Sequence, residues 1–137
     1  VMVTPFRDQL PASLPEGAAH FEFLPFGSAF PRCAAVVHHG GIGTCAQGMA
    51  AGVPQLITAL AHDQPDNGWR LRQLGVGDYV YAPPIQPRTL EERLRHLLST
   101  SSVMEACRKV QHFMADQMPQ EKVAELLEGF ARERLRV

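Results

Sequence analysis

The stretch Val36-Val37-His38-His39-Gly40-Gly41-Ile42-Gly43-Thr44 joins an apolar run to a glycine turn, with two imidazoles before the turn and a hydroxyl after it. Glycines admit positive φ and let a ligand approach the backbone closely. A helix starting here would point its first N–H groups outward, at about Gly43, Thr44 and Cys45. With the helix dipole, those groups favour an anion such as a phosphate. Thr44 adds a hydroxyl donor. Adjacent residues leaving a strand point to opposite sides, so His38 and His39 cannot both serve one ligand. One of them, read as His39, faces the helix start, where an imidazole N–H can donate to a diphosphate oxygen. A purely structural turn between strand and helix is the alternative.

A second polar cluster, His62-Asp63-Gln64-Pro65-Asp66-Asn67, follows the next apolar run. A carboxylate accepts from two hydroxyls and an amide both donates and accepts, so Asp63 and Gln64 suit neighbouring sugar hydroxyls. Here the alternative is a helix cap ahead of Trp69 to Leu74. Asn67 fits that role, whereas Asp63 and Gln64 read as too far upstream for a simple cap. Other chemistries fit less well. A Walker loop needs Gly-Lys-Ser/Thr and no Lys is near; Gly41, Gly43 and Gly48 lack the dinucleotide spacing. A metal held by His38, His39, His62 and Asp63 has no local motif behind it. A thiol enzyme using Cys45, its pKa lowered at the helix start, has no evident base.

These residues need a scaffold that brings both clusters to one edge. Val1 to Pro5 and His20 to Leu24 read as strands, separated by a Pro-containing loop. Ala34 to Val37 is an uninterrupted apolar run that fits a parallel strand covered on both faces. Thr44 to Ala51 is helix-compatible and ends at Gly52 as a cap. Pro54 to Ala59 reads as the next strand, Asp66 to Leu74 as a helix, and Asp78 to Ala82 as a further strand before a Pro-rich connection from Pro83 to Pro87. The last third is helical. Thr89 could cap a helix with Leu90, Leu94, Leu97 and Leu98 on one face; Val103, Cys107, Val110 and Met114 follow at helical spacing; Pro119 opens a helix before Val123, Leu126, Leu127 and Phe130. The alternation predicts an α/β fold with one open, Rossmann-like parallel sheet flanked by helices and a helical C-terminal third. In such sheets ligands bind at the carboxyl ends of the strands, where both clusters fall.

The chain has 137 residues, 45% apolar and 20% charged, which is one globular domain's worth. A net charge of −1 offers no general grip on nucleic acid or an anionic membrane. Three cysteines without CxxC spacing argue against a disulfide framework and for a reducing, cytoplasmic compartment. The charge-free stretch from Cys33 to His62 holds paired His, several Gly and a Pro, so no transmembrane helix is expected. The opening at Val1, inside an apparent strand, suggests a piece of a longer protein.

The ordered series of Phe30 through Thr44, Gly52-Val53-Pro54, Asp63-Gln64-Pro65-Asp66-Asn67 and Leu74-Gly75-Val76-Gly77 resembles the UDP-glucosyl/glucuronosyltransferase family. These are nucleotide-sugar glycosyltransferases of the two-domain GT-B fold, with bacterial antibiotic, rhamnosyl and sterol relatives. The resemblance is close over residues 20–80 and looser in the helical tail. It implies that residues 1–137 form the C-terminal, donor-binding half of such a fold, without the first strand and helix of that domain. By resemblance, His39, Gly41, Gly43 and Thr44 hold the donor diphosphate. Asp63 and Gln64 contact the donor sugar, and the Pro25-Phe26 loop meets the nucleobase. Gln47 stands where many members carry a Glu that grips the ribose, so the donor is expected to be a UDP or dTDP sugar. The implied reaction is an inverting hexosyl transfer to an acceptor hydroxyl, with no metal or other cofactor. Its general base is a His in the N-terminal domain, which also meets a small-molecule or lipid acceptor. No catalytic residue is therefore expected within this chain, and the segment alone is expected to be inactive. A non-catalytic nucleotide-sugar-binding or activator module is the alternative.

Overall fold

Leu56 and Ile57 sit side by side on the central strand and neither exposes any surface. Neighbours on a strand face opposite sides, so this strand is covered on both faces. The computed structural model describes residues 1–81, 84, 86–116 and 119–134. In it the strand, β4 (Gln55–Ala59), lies between β3 (Val36–His38) and β5 (Gly77–Tyr81). Both pairings are parallel, with Val37 opposite Leu56 and Leu56 opposite Asp78. Parallel pairing requires crossovers. These are α2 (Ile42–Ala51) and α3 (Gln64–Gln73), followed by α4 (Pro87–Ser99), α5 (Ser101–Asp116) and α6 (Pro119–Arg134). Cys45 of α2, Leu71 of α3, Leu97 of α4 and Cys107 of α5 converge with Leu56 and Ile57 into one core. Each fully buried Leu or Ile there contributes roughly 1.5–3 kcal/mol relative to exposure. Asp78 on β5 accepts from Arg93 of α4 and lies 3.8 Å from Arg72 of α3, tying both helices to the sheet edge.

The fold class matches the sequence pattern, but the sheet is not continuous. β1 (Met2–Val3) and β2 (His20–Phe21) form a separate parallel pair. After β2, Pro25 precedes the short helix α1 (Phe26–Ala29), and a 3₁₀ turn over Phe30–Arg32 with Pro31 in it carries the chain onward. Proline's fixed φ and missing N–H favour such turns over ladder pairing. β3 accordingly begins only at Val36, and among the described residues its edge away from β4 has no partner. Val37, expected to be covered, is 51% exposed, its side chain facing an open cavity.

Several element boundaries also move. α2 ends at Gly52 in the left-handed conformation, as predicted. α3 starts at Gln64, not Asp66, because Pro65 falls in its first turn, where the absent N–H costs nothing. α4 likewise starts at Pro87, with Gln86 rather than Thr89 ahead of it. α6 begins at Pro119 as predicted, yet its apolar stripe of Val123, Leu126, Leu127 and Phe130 is exposed. Ala82, Pro83 and Ile85 of the Pro-rich connection and the last three residues of the charged tail lie outside the described residues. Among the described residues no helix is long and apolar enough to cross a membrane.

Candidate functional site

β3 ends at His38 and α2 begins at Ile42, so three residues make the turn. Gly40 takes φ +94, and a β-carbon there would come within 2.5 Å of Ile57 Cγ2. Only glycine fits both demands. The Gly40 residue is held at both its polar atoms. Its N–H donates to His38 Nδ1 at 3.1 Å, and its carbonyl accepts from Asn67 Nδ2 at 2.9 Å.

The first of these bonds fixes a tautomer. A backbone nitrogen only donates, so His38 Nδ1 carries no hydrogen and Nε2 must. Nε2 therefore donates to Gln55 Oε1 at 3.0 Å, and Gln55 Nε2 donates to the Cys45 carbonyl at 3.2 Å. This relay runs from β3 through β4 to α2. Gln55 is wholly buried with its side chain bonded at both ends, as a polar core group must be. Burial, the largest influence, lowers the His38 pKa from 6.5; the hydrogen bond to Gln55 opposes it and nearby His39 adds to it.

His39 has the opposite fate. It is exposed, and its Nε2 lies 2.8 Å from where a β-carbon on Gly41 would sit, so its ring leans over the mouth of the turn. The two imidazoles stand at 89° with centroids 6.4 Å apart. Their divergence agrees with the strand alternation read from the sequence.

The open amides at the helix start are those expected only at Gly43. Thr44 and Cys45 N–H groups both bond the Gly41 carbonyl at 3.0 Å, closing a tight first turn. Among the described residues, the Ile42 and Gly43 N–H groups have no backbone acceptor. No atom lies within 4 Å of a β-carbon built on Gly43, so that face of the turn is open.

In the second cluster, Asp63 stands at the cap position of α3, closer to the helix than expected, but its side chain makes no capping bond. Its carboxylate Oδ2 accepts from Asn67 Nδ2 at 2.7 Å. Gln64 Oε1 accepts from the Leu60 and Ala61 N–H groups at 2.8 and 3.1 Å, pinning the loop after β4. The second oxygen of Asp63 and the NH₂ of Gln64 have no protein partner among the described residues. Asn67 thus joins the two clusters, because the amide that holds Gly40 also holds Asp63.

Phe26 and Gln47 are placed differently. The Phe26 ring stacks on Phe30, centroids 4.6 Å apart and 15° from parallel, and packs against a small cluster with Val36 and Val53. It also lines a cavity of about 790 Å³ that runs past Val37 to His39 and Thr44. Asp63, Gln64 and Gln47 lie outside that cavity's wall. Gln47 is exposed on α2, one turn beyond Thr44.

The thiol alternative fails. Burial first, and the Asp63 carboxylate second, push the Cys45 pKa up rather than down. Both ring nitrogens of His38 are committed, and among the described residues no three His, Cys, Asp or Glu side chains group at metal-binding spacing.

Sequence reasoning missed Gln55, a lone amide in an apolar strand, which was a readable signal. It read Asn67 as a helix cap, whereas Asn67 lies inside α3, four residues after Asp63, the spacing of neighbours on one helix face.

The profile of the family described as "Erythromycin biosynthesis protein CIII-like, C-terminal domain" matches residues 2–129. The aclacinomycin-T 2-deoxy-L-fucose transferase of Streptomyces galilaeus is 31% identical over 125 residues, 90% of this chain and 28% of that protein. The erythronolide mycarosyltransferase of Saccharopolyspora erythraea is 30% identical over 118 residues, 85% of this chain and 28% of that protein. The crystal structure of glycosyltransferase VinC in complex with DTDP superposes with a TM-score of 0.77 at 32% identity, over 88% of this chain and 31% of that one. The matched part of the chain therefore spans just over a quarter of the length of these two curated relatives. It belongs to this family, the C-terminal domain of glycosyltransferases with the GT-B fold.

Proposed function

We propose that this member of the family supplies the donor-binding half of an inverting glycosyltransferase and holds a nucleoside-diphosphate sugar, with UDP or dTDP as the nucleotide. The observation that carries the reading is an exposed His39 with its ring beside Gly41, at the start of a helix whose Ile42 and Gly43 amides have no backbone acceptor among the described residues, with Asp63 tied to the same turn. The name of the VinC complex supports dTDP as one donor nucleotide.

In the reaction, an acceptor hydroxyl attacks the anomeric carbon and the bond to the diphosphate oxygen breaks. Negative charge accumulates on the leaving diphosphate. His39 and the turn amides meet that charge, and one such preorganised donor is typically worth about 3–4 kcal/mol in the transition state. In this reading they do so without a metal or other cofactor. The free oxygen of Asp63 and the NH₂ of Gln64 take the sugar hydroxyls. Gln47 takes the ribose, and the Phe26 backbone the base. The acceptor and its general base belong to the other half of the enzyme.

Ligand-detected NMR tests the assignment. His39→Ala should weaken dTDP binding by about 1.5–3 kcal/mol, the range for a hydrogen bond to a charged group. Thymidine, which has no phosphate, should bind both forms alike. Equal loss of both ligands, or of neither, removes His39 from the diphosphate site.

A further inference from the structure

We propose that Asn67 is a positioning residue that couples donor-sugar recognition to the diphosphate turn, acting through Asp63 without touching the ligand. The inference rests on the donor-site reading above and deepens it. Asn67 is 8% exposed, and its one side-chain nitrogen carries two hydrogens that serve two acceptors, the Gly40 carbonyl at 2.9 Å and Asp63 Oδ2 at 2.7 Å. These acceptors belong to different parts of the site. Gly40 is the pivot of the turn between β3 and α2, while Asp63 stands just ahead of α3, at the end of the loop after β4, with its carboxylate making no capping bond. One amide group spans the two, and its short bond to Asp63 is charge-assisted.

The chemistry of position 67 is restrictive. An aspartate there would carry no hydrogen at neutral pH and would set a second carboxylate against Asp63 and the carbonyl. A serine supplies one donor for two acceptors. The next residue, Gly68, leaves no room for adjustment, since a β-carbon on it would lie 2.6 Å from Tyr79 Cβ. With asparagine in place, Asp63 is oriented by its Oδ2 and presents its other oxygen outward. The turn geometry that offers the Ile42 and Gly43 amides to a diphosphate is then the geometry that presents Asp63 to the attached sugar. Asn67 thereby makes the two halves of the donor site act together.

The test is a double-mutant cycle read as the preference for dTDP-glucose over dTDP, a ratio that general loss of stability does not move. The two ligands are titrated by NMR against the unaltered chain, Asp63→Ala, Asn67→Ala and the double variant. Asn67→Ala is expected to reduce the preference about fivefold to tenfold, the scale of one lost hydrogen bond, toward that of Asp63→Ala. The double variant is expected to match Asp63→Ala alone. Asn67→Ser, keeping one donor, should fall in between, and it reports the same contrast if the alanine variant does not fold. An unchanged preference in Asn67→Ala, or losses that multiply in the double variant, overturns the proposal alone. If the unaltered chain binds dTDP-glucose no better than thymidine, the donor-site reading falls and this inference falls with it.

Discussion

His38 Nε2 and Gln55 Oε1 lie 3.0 Å apart, and the bond between them decides which of two adjacent histidines is available to a ligand. Gln55 faces inward from the central strand and needs a donor for its carbonyl oxygen. His38, opposite Ile57 in the parallel register, is placed to provide it. That commitment occupies both ring nitrogens of the half-buried His38 and leaves the exposed His39 to meet a ligand.

The His38 pair carries a pH signature. A proton on Nδ1 would abolish the acceptor for Gly40. Burial lowers the folded pKa below 6.5, so the unfolded chain takes up the proton first as pH falls. The stability contributed by neutral His38 is complete above about pH 6.5 and is lost as pH drops from there through the lowered folded value. Melting temperature should therefore decline on the acid side of neutrality. His38→Ala should start lower at about pH 7.5 and decline less steeply. Parallel slopes in the two proteins would assign the acid sensitivity to other groups.

Gly43→Ala separates folding from binding. Nothing lies within 4 Å of the added methyl, and the residue sits in the first turn of α2. Alanine in place of glycine favours a helix by up to about 1 kcal/mol, so melting temperature should rise or hold. The methyl stands where a diphosphate would approach the amide, so dTDP affinity should fall. A stabilised variant with undiminished affinity would show that no ligand approaches there.

Gln47→Glu should strengthen binding of UDP by about 1 kcal/mol, because a carboxylate accepts more strongly from the two ribose hydroxyls. The gain should be smaller for 2′-deoxy-UDP, which offers one hydroxyl. Calorimetry showing the same change for both nucleotides would place Gln47 outside the ribose site.

Metal removal is a direct check on the protein-only account of the diphosphate. dTDP should bind this chain with equal affinity before and after exhaustive EDTA treatment. Loss of binding on chelation, restored by a divalent cation, would require a metal in the site.

The three thiols should differ sharply toward iodoacetamide at neutral pH. Cys33 is exposed, whereas Cys45 and Cys107 are each 1% exposed. Burial pushes the Cys107 pKa up to about 11, and burial with Asp63 raises that of Cys45. Mass spectrometry of the native protein should find one adduct, on Cys33. Rapid alkylation of Cys45 would contradict its burial behind the turn.

The order of strands and helices was legible because it is written locally. The apolar run into β4, the cap at Gly52 and the start at Pro119 each depend on a few neighbouring residues. So was the divergence of His38 and His39, which follows from strand alternation. What each histidine reaches was not legible. His38 meets Gln55 seventeen positions away, and Asn67 meets Gly40 across twenty-seven, contacts that exist only once β3 and β4 are in parallel register. The start of α3 was hidden by Pro65, which reads as a breaker until its place in the first turn is known. The exposure of Val37 depends on what packs against that face of β3, and no local pattern encodes that.

Gln55 has a consequence for how this sequence can change. A β-carbon on Gly48 would overlap the Gln55 amide, so the helix can gain no side chain there while glutamine stays. Shortening Gln55 would make the room but leave the His38 Nε2–H without its acceptor, at about 1–3 kcal/mol for an unsatisfied group. Positions 38, 48 and 55 are therefore open to joint replacement and closed to replacement one at a time. In a combinatorial library they should show sign epistasis, with acceptable triples reached only through intermediates less stable than either end.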